Sequence, residues 1–317
     1  MKETNSRIDL LIKLLIFAVC GAIAFLIVSK GLISEDLFSP YPEQNPALGE
    51  DELRVHFINT DQSESILIQH GGKAILIDAA SQGYEEKICN YLHTKDVSEL
   101  ELFVLTHPHS DHIGSAVSVL CDFPVKNLLL PDIPEEYRPE SALYDGVLTA
   151  AEEKGCPILF ASPGQQFSLG DDVILSVLGP TENYGTDYND WSVVCRLTYG
   201  DVSFLFTGDM EVFGENDLLF SGTELSSTVL KIGHHGSNTS TGEAFLSAVD
   251  PEYAVILCGK DNDYHHPHPS TTAALREQGC TVYRSDLDGN IIFTTDGKEI
   301  SVVTEDDSIY FHTYKKS

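Results

Sequence analysis

Basic side chains are scarce in this sequence, whose 317 residues include 19 Lys and Arg against 49 Asp and Glu, a formal net charge of −30. This imbalance argues against a protein that grips nucleic acid through a basic surface, because such affinity comes from neutralised phosphates. It does not exclude an enzyme that handles a phosphate through bound metal ions. A hydrophobic content of 42% argues against wholesale disorder.

Closely spaced cysteine pairs are also missing, since no C-x-x-C occurs among the 7 Cys. That absence disfavours a zinc finger, and the scattered positions disfavour a disulfide framework. Cys20 lies in an N-terminal apolar run, and we expect the other six cysteines to be mostly buried thiols. These six are Cys89, Cys121, Cys156, Cys195, Cys258 and Cys280.

One long apolar run lies near the N-terminus, at residues 14–28, and its length falls between a signal-peptide core and a membrane-spanning helix. Basic residues precede it and acidic residues follow it, which predicts a cytoplasmic N-terminus and an exported remainder. No A-x-A cleavage site follows the run. We therefore interpret residues 1–30 as an uncleaved membrane anchor, with a cleaved signal peptide as the alternative. The basic residues are Lys2, Arg7 and Lys13.

Residues 31–52 contain Pro40, Pro42 and Pro46 among polar residues, a composition typical of an extended linker. The sequence thus predicts a single-pass protein of the cell membrane. Its residues 53–317 are predicted to form one extracellular domain.

Short strands and helices alternate through this domain, which predicts layered α and β structure. An apolar strand is expected at Leu102–Leu105, followed by one helix at Ile113–Leu120, with Gly114 allowing a tight turn between them. The chain is expected to end in a meander with turns at Asp288-Gly289 and Asp296-Gly297. Strands are also predicted at Lys73–Ile77 and Val202–Phe206, and a helix at Ser141–Lys154.

Histidines are clustered, because eight of the 12 His lie in three groups and none falls between His112 and His234. Solvated surface histidines would scatter, so this clustering indicates a site. The groups are His107, His109 and His112; His234 and His235; and His265, His266 and His268.

The first group lies in an H-x-H-x-D-H pattern directly after the predicted apolar strand. In extended chain His107 and His109 point the same way, so both imidazoles can bind one metal ion. As the chain bends, Asp111 and His112 can face a second ion. Nitrogen and carboxylate ligands suit Zn²⁺, Mn²⁺ or Fe, and the lack of Cys disfavours a purely structural zinc.

This pattern resembles the signature of the metallo-β-lactamase fold, and other segments strengthen the resemblance. The fold carries an acidic residue beside its metals at a strand end, where this chain has Asp78, and a T-G-D whose carboxylate bridges both ions, here Asp209. Three further segments resemble the branch that includes the nuclease-like domain of the competence protein ComEC and the teichoic-acid phosphocholine esterases. They are N-D-W-S-V-V at 189–194, H-H-G-S at 234–237 and N-D-Y-H-H-P-H at 262–268.

The resemblance implies a four-layer αββα sandwich over about residues 53–296 and a centre with two divalent ions, Zn²⁺ or Mn²⁺. The roles of His234 and His235 could be exchanged. His266 and His268 could be ligands or general acids. The implied metal ligands are His107, His109, Asp111, His112, Asp209 and His235. The implied catalytic residues are Asp111, His234, His266 and His268.

Two departures from the family pattern stand out. Many members supply a third histidine to the first ion from the segment before T-G-D, where this chain has none, and Asn189, Asp190 or water could fill that place. The ComEC-like branch opens with a G-Q-G-D-type turn, whereas residues 59–65 here lack those glycines, which predicts a different backbone or substrate contact. Ser192 could bind a phosphate oxygen.

The leading hypothesis is a membrane-anchored, outward-facing hydrolase in which two metal ions lower the pKa of a shared water. A phosphodiester, small or polymeric, is the preferred substrate, although the charge of −30 predicts no stable grip on nucleic acid. Alternatives are a phosphocholine-esterase-like enzyme, a carboxyl-ester or lactone hydrolase, and a non-catalytic membrane-anchored binding module with a vestigial site. The last would be expected to have lost some of the motif residues, and all are present.

Overall fold

The computed structural model describes residues 48–49 and 51–305, so the expected anchor at 1–30 and most of the expected linker at 31–52 lie outside the described residues. The strands are β1 (Leu53–Phe57), β2 (Ile66–His70), β3 (Lys73–Ile77), β4 (Leu102–Val104), β5 (Leu128–Leu130), β6 (Ile158–Phe160), β7 (Gln166–Ser168), β8 (Val173–Gly179), β9 (Val194–Tyr199), β10 (Val202–Phe206), β11 (Val229–Lys231), β12 (Tyr253–Ile256), β13 (Thr281–Arg284), β14 (Asn290–Thr295) and β15 (Ile300–Glu305). The α-helices of this part of the chain are α1 (Glu85–Thr94), α2 (Ser110–Ile113), α3 (Ala116–Asp122), α4 (Ala142–Lys154), α5 (Val212–Ser221), α6 (Glu243–Val249), α7 (Pro269–Gln278) and α8 (Ser285–Asp288).

The strands form two sheets, with orders β15-β14-β1-β2-β3-β4-β5-β6 and β13-β12-β11-β10-β9-β8-β7. Strands β3 to β6 are parallel in the first sheet, and β10 to β13 are parallel in the second. Parallel neighbours need crossover connections, and the helices supply them. The carboxyl ends of each parallel set therefore share one edge of their sheet.

Alternation of side chains places the central core between the two sheets. Leu53, Val55 and Phe57 of β1 are all buried in this core, and Phe204 and Phe206 of β10 join them from the second sheet. The rings of Phe57 and Phe206 lie 6.2 Å apart. Because successive strand residues face opposite sides, the intervening side chains are free to pack against helices.

The outer faces of both sheets are covered by helices, which confirms the two-sheet, four-layer α/β/β/α arrangement. Leu67 and Leu76 face a cluster that includes Ile88, Tyr91 and Leu92 of α1. The second sheet buries its outer face against a different set of helical side chains. That set includes Leu218 of α5, Phe245, Leu246 and Val249 of α6 and Leu275 of α7.

The structure departs from the predicted elements in three places. The helix expected at Ile113–Leu120 is two short helices, α2 and α3, because the chain bends at Gly114 and Ser115. Strand β7 and helix α5 were not predicted, and their polar or evenly apolar sequences lack a clear period. The expected terminal meander is split, since β13 pairs with β12 in the second sheet while β14 and β15 form a hairpin in the first.

Gly114 is needed for space rather than for an unusual backbone conformation. Its φ of −56° is ordinary for a helix. A Cβ there would lie 2.2 Å from the amide nitrogen of Gln82 and 2.5 Å from the carbonyl oxygen of Ser110, closer than real side chains approach. The histidine-bearing segment thus packs directly against neighbouring backbone.

The burial of the cysteines follows the expectation in part. Cys156, Cys195 and Cys258 are buried, whereas Cys121 is exposed. Within residues 48–49 and 51–305, no helix combines the length and the apolar character that crossing a bilayer requires.

Candidate metal centre

The centre lies where parallel strands of both sheets end. Asp78 follows β3, and the segment from His107 to His112 follows β4 in the first sheet. Asp209 follows β10 and the pair at 234–235 follows β11 in the second sheet. Functional groups concentrate in such loops because the sheet holds their ends rigidly.

Four imidazole nitrogens of the centre surround one carboxylate oxygen, Oδ2 of Asp209. It lies 3.3 Å from Nε2 of His112, 3.6 Å from Nε2 of His235, 3.8 Å from Nε2 of His234 and 4.0 Å from Nε2 of His107. Asp209 is only 1% exposed, so this negative charge is held away from solvent among four imidazoles.

His107 and His109 converge as their spacing predicts. Nε2 of His107 lies 3.0 Å from Nδ1 of His109, and the ring centroids are 4.7 Å apart. Two imidazole nitrogens this close to each other and to a carboxylate suit a shared cation.

Asp111, His112, Asp209 and His235 form a second group, whose ligand atoms all lie within 4.8 Å of one another. Three buried atoms there, Nε2 of His112, Nε2 of His235 and Oδ1 of Asp209, lack a hydrogen bond of acceptable geometry within the described residues. Unpaired buried polar atoms are costly, and a cation would satisfy all three. The residues therefore fit a divalent metal ion.

Asp78 orients His112 through a hydrogen bond to the ring nitrogen that faces away from Asp209. Nδ1 of His112 donates to Oδ2 of Asp78 at 2.6 Å. The same carboxylate accepts from the backbone N–H and the hydroxyl of Thr106, both at 2.7 Å. A histidine that donates one N–H to a carboxylate presents the lone pair of its other nitrogen to a metal.

The two histidines after β11 are oriented in the same way by different acceptors. Nδ1 of His235 donates to the carbonyl oxygen of Leu257 at 2.8 Å. Nδ1 of His234 donates to Oε1 of Glu211 at 3.0 Å, and the hydroxyl of Thr239 donates to the same oxygen. Both Nε2 atoms consequently face Asp209.

A buried ion pair supports the centre between the sheets. Nζ of Lys231 lies 2.5 Å from Oε2 of Glu64, and both side chains are fully buried. Glu64 is also bonded through its backbone N–H to the carbonyl oxygen of Asp111 at 3.1 Å. The pair links the end of β11 in the second sheet to the loop before β2 in the first sheet.

Burial and neighbouring charges shift the pKa values of the histidines and of Asp209 in different directions. Burial lowers the pKa of His107 and of His109, which keeps both imidazoles neutral and able to bind a metal. Burial opposes the charge of His112 too, but Asp209 and Asp78 outweigh it and raise the pKa of that histidine. Burial works against ionised Asp209, yet His112 and His235 hold its pKa well below the ordinary value. Asp209 is therefore a carboxylate at neutral pH.

Three residues of this centre have left-handed backbone. Asp78, His234 and His235 have φ values of 57°, 47° and 53°, unusual for residues other than glycine. Gly208 has a φ of 53°, and a Cβ there would lie 2.9 Å from Oγ of Ser192. Strain of this kind persists where surrounding packing enforces it, and it gathers at functional sites.

His266 and His268 lie outside the group around Asp209. The ring of His266 is 5.6 Å from that of His234, and burial lowers its pKa to about 4, so it is neutral near pH 7. His268 caps helix α7, where its Nδ1 accepts from the backbone N–H of Ser270. These contacts assign His268 a structural task in addition to the catalytic role predicted for it.

The candidates for the missing third ligand differ in which of their atoms are already hydrogen-bonded. Oδ1 of Asp190 accepts from the backbone N–H groups of Glu211 and Gly214, at the start of α5. Nδ2 of Asn189 donates to Oε1 of Glu211 at 3.2 Å, whereas its Oδ1 is buried and has no hydrogen-bond partner among the described residues. Ser192 is fully buried and its hydroxyl accepts from the backbone N–H of Asp209 at 3.0 Å, so it positions the carboxylate.

Sequence reasoning missed Glu211 and Gln62. Glu211 stands two residues after Asp209, and that proximity to T-G-D was the available signal. Gln62 lies at 59–65, in the turn that lacks the glycines of the family pattern. Its contacts are with residues about 200 positions away, which no local pattern reveals.

Comparison with known families agrees with the fold and the centre. The family model described as the metallo-β-lactamase superfamily matches residues 58–260. This chain belongs to the metallo-β-lactamase superfamily. The superfamily has the fold of metal-dependent hydrolases and binds divalent metals, typically two. The matched region contains Asp111, His112, Asp209 and His235, the four residues whose ligand atoms lie together.

Two curated relatives confirm the ComEC-like resemblance. The chain is 32% identical over 259 residues to "ComE operon protein 3" of Bacillus subtilis (strain 168), covering 76% of this chain and 33% of that protein. It is 32% identical over 289 residues to "Competence protein ComA" of Neisseria gonorrhoeae, covering 88% and 38%. The chain thus spans about a third of the length of these relatives.

A solved structure shows the same superfamily fold. The metallo-β-lactamase fold protein YhfI from Bacillus subtilis aligns with a TM-score of 0.54 at 13% identity, covering 77% of this chain and 100% of that one. At that identity the likeness concerns the fold alone.

Proposed function

We propose that this superfamily member is a membrane-anchored, outward-facing phosphodiesterase. The observation that carries the proposal is the placement of four imidazole Nε2 atoms within 4.0 Å of one oxygen of Asp209. A carboxylate between two cations offsets their repulsion, and paired ions suit in-line displacement at phosphorus.

The ligand assignment follows the two groups. His107, His109 and Asp209 would hold the first ion, and Asp209 would also contribute to the second. Asp111, His112 and His235 complete that second site. When bound, two divalent ions, Zn²⁺ or Mn²⁺, lower the pKa of water and neutralise charge on a phosphate oxygen.

The remaining roles fall to residues at the rim. Asp111 has a side chain that is 31% exposed, and its Oδ2 would orient the attacking water by accepting a hydrogen bond from it. His234 is 25% exposed, and Glu211 directs its Nε2 towards the centre, where that nitrogen would face the leaving group. Such fixed orientation lowers the activation barrier of hydrolysis, because the reacting groups are aligned before the reaction begins.

The choice of a phosphodiester rests on the relatives and on charge. One relative is named "Competence protein ComA", and a further one, 29% identical, is named "Recombination protein 2". A net charge of −30 disfavours a long polyanion, so we propose a short or partly zwitterionic phosphodiester.

Membrane attachment is assigned to the apolar run at 14–28. Its orientation is testable through Cys121, which is exposed in the domain. A membrane-impermeant maleimide should label the protein in intact cells, and the labelling should fall in a Cys121→Ser variant, in which only the half-buried Cys89 and Cys280 remain partly exposed among the described residues. Labelling of Cys121 only after lysis would contradict an outward-facing domain.

The activity test uses the full chain, purified in detergent without chelator and supplied with Mn²⁺ or Zn²⁺. Hydrolysis of bis-(p-nitrophenyl) phosphate should require metal and should fall by at least about 100-fold in Asp209→Ala. Asp145→Ala removes an exposed carboxylate and serves as the matched control, with unchanged turnover.

Each other outcome points to a different function. Two bound ions with hydrolysis of p-nitrophenyl acetate alone would indicate a carboxyl-ester hydrolase. Bound ions with cleavage confined to p-nitrophenyl phosphocholine would indicate a phosphocholine esterase. A protein that binds no metal would be a binding module.

A further inference from the structure

Gln62 spans the gap between the loop after β1 and the loop after β12. Its Oε1 lies 3.0 Å from the backbone nitrogen of Gly259, and its Nε2 lies 3.2 Å from Nδ1 of His266. A backbone N–H can only donate, so the amide atom facing Gly259 must be the oxygen. The atom facing His266 is then the NH₂ group, which can only donate.

This orientation settles the proton on His266. Because Nδ1 accepts from Gln62, it carries a lone pair, and in the neutral ring the hydrogen resides on Nε2. No acceptor for that Nε2–H occurs among the residues that the structure describes. Nε2 lies across the ring from the Gln62 contact.

The rest of the loop immobilises His266 as well. Its backbone N–H donates to Oδ1 of Asn262 at 3.0 Å, and Nδ2 of Asn262 donates back to the carbonyl oxygen of His266. The ring of Tyr264 stacks on it with centroids 5.7 Å apart. The ring of His234 lies 5.6 Å away, next to the metal centre.

We propose that Gln62 is a positioning residue that holds His266 as the Nε2–H tautomer, so that His266 donates a hydrogen bond to a phosphate oxygen of the substrate. The inference rests on the proposed function for its substrate class. It also assigns His266 away from the metal, since a protonated Nε2 cannot be a ligand and Nδ1 is engaged.

The first measurement reads the tautomer without any turnover. The full chain is labelled with ¹⁵N-histidine, and the imidazole nitrogen shifts are recorded about two units above the ordinary histidine pKa of about 6.5. Signals that disappear in His266→Ala belong to His266. We expect Nδ1 to be the unprotonated nitrogen in the native protein.

Gln62→Glu tests the cause of this tautomer. The carboxylate keeps the bond from Gly259 but replaces the donor with an acceptor, so Nδ1 should become protonated. Gln166→Glu introduces the same change at an exposed glutamine in β7 and should leave the His266 signals unchanged. A native ring protonated on Nδ1, or a ring unaffected by Gln62→Glu, would overturn the proposal.

The second measurement uses inorganic phosphate as the probe on the metal-loaded protein. Its Kd should rise about tenfold in His266→Ala, as expected for loss of one hydrogen bond to a charged group, and similarly in Gln62→Met. In the His266→Ala background, Gln62→Met should add less than about twofold, because it acts through His266.

Unchanged phosphate affinity in His266→Ala would refute the substrate contact. An equal effect of Gln62→Met with and without His266 would show that Gln62 acts directly. If Gln62→Met does not fold, the native tautomer and Gln62→Glu still decide the role of Gln62. Loss of the proposed phosphodiesterase function alone would appear as absent turnover with these two readouts intact.

Discussion

At the scale of single residues, hydrogen bonds select which nitrogen of each histidine faces the centre. His112, His234 and His235 all give their Nδ1 hydrogen to an oxygen, from Asp78, Glu211 and Leu257 respectively. The Nε2 lone pairs are thereby directed inward before any metal arrives. Such support from behind the ligands tunes metal affinity.

Asp78→Asn should weaken metal binding about 10- to 100-fold. The asparagine oxygen would face the backbone N–H of Thr106, which contacts Oδ1 at 2.7 Å, leaving the NH₂ group against His112. Nδ1 of His112 would then have to accept, which moves its hydrogen to the nitrogen that should bind metal. Calorimetric titration with Zn²⁺ measures the change.

Asp145→Asn is the matched control, because Asp145 is an exposed acid on α4. Its Zn²⁺ affinity should equal that of the native protein. Equal affinity in Asp78→Asn and Asp145→Asn would show that Asp78 does not orient His112.

At the scale of elements, close backbone contact shapes the segment that carries the first ligands. Gly114→Ala would place a Cβ 2.2 Å from the Gln82 nitrogen. The nearest neighbours of this Cβ are backbone atoms, which cannot move aside as the end of a flexible side chain could. We expect the free energy of unfolding to fall by about 3 kcal/mol or more, since overpacking against backbone cannot relax locally. Urea denaturation measures the change.

Gly146→Ala is the control for that substitution. Gly146 lies inside α4, where an added Cβ would make an ordinary contact of 3.8 Å with Val117. Alanine is the better helix former, so this variant should be stabilised by up to about 1 kcal/mol. A similar loss in both variants would contradict the steric argument for Gly114.

Helix α6 carries a pH-sensitive contact. Glu215 of α5 is 2% exposed and accepts from the backbone N–H groups of Thr241 and Gly242 at the start of α6. Burial, with Asp190 and Glu211 nearby, raises its pKa from 4.5 to about 7. The folded protein therefore binds this proton more tightly than the unfolded chain.

Stability should consequently fall as pH rises from 4.5 to about 7, because the stabilisation from the bound proton is full below 4.5 and lost above 7. The shift corresponds to a difference on the order of 3 kcal/mol between native protein and Glu215→Gln across that window. Chemical denaturation at several pH values measures it. A constant difference would contradict the raised pKa of Glu215.

At the scale of the whole molecule, the metal centre and the Glu64–Lys231 pair both join the two sheets. The first sheet contributes the ligands after β4, and the second contributes Asp209 and His235. Binding of metal to the native state alone should therefore stabilise the entire sandwich.

Removal of metal by a chelator should lower Tm by roughly 5–10 °C, given about 2.7 kcal/mol of linkage at a hundredfold excess over Kd. Scanning calorimetry with and without chelator measures the shift. Asp209→Ala should be insensitive to the chelator. The same Tm shift in Asp209→Ala would show that metal stabilises the fold at another place.

Much of the fold was predictable because its causes are local. Alternation and apolar runs predicted β3 and β10 with their observed bounds, Lys73–Ile77 and Val202–Phe206. The family signature predicted the two-sheet arrangement and grouped the residues that the structure brings around Asp209. Periodicity failed where it was weak, as in β7, and where the chain turns between two short helices, at Gly114 and Ser115.

The sequence by itself determined the ligand chemistry, since residue types and a two-residue spacing decide which donors converge. Tertiary structure alone decided how those donors are held. Asp78 reaches His112 across 34 positions, Glu211 reaches His234 across 23, and Gln62 reaches His266 across 204. Contacts between residues so far apart in the sequence depend on how the two sheets pack, and local sequence patterns do not predict that packing.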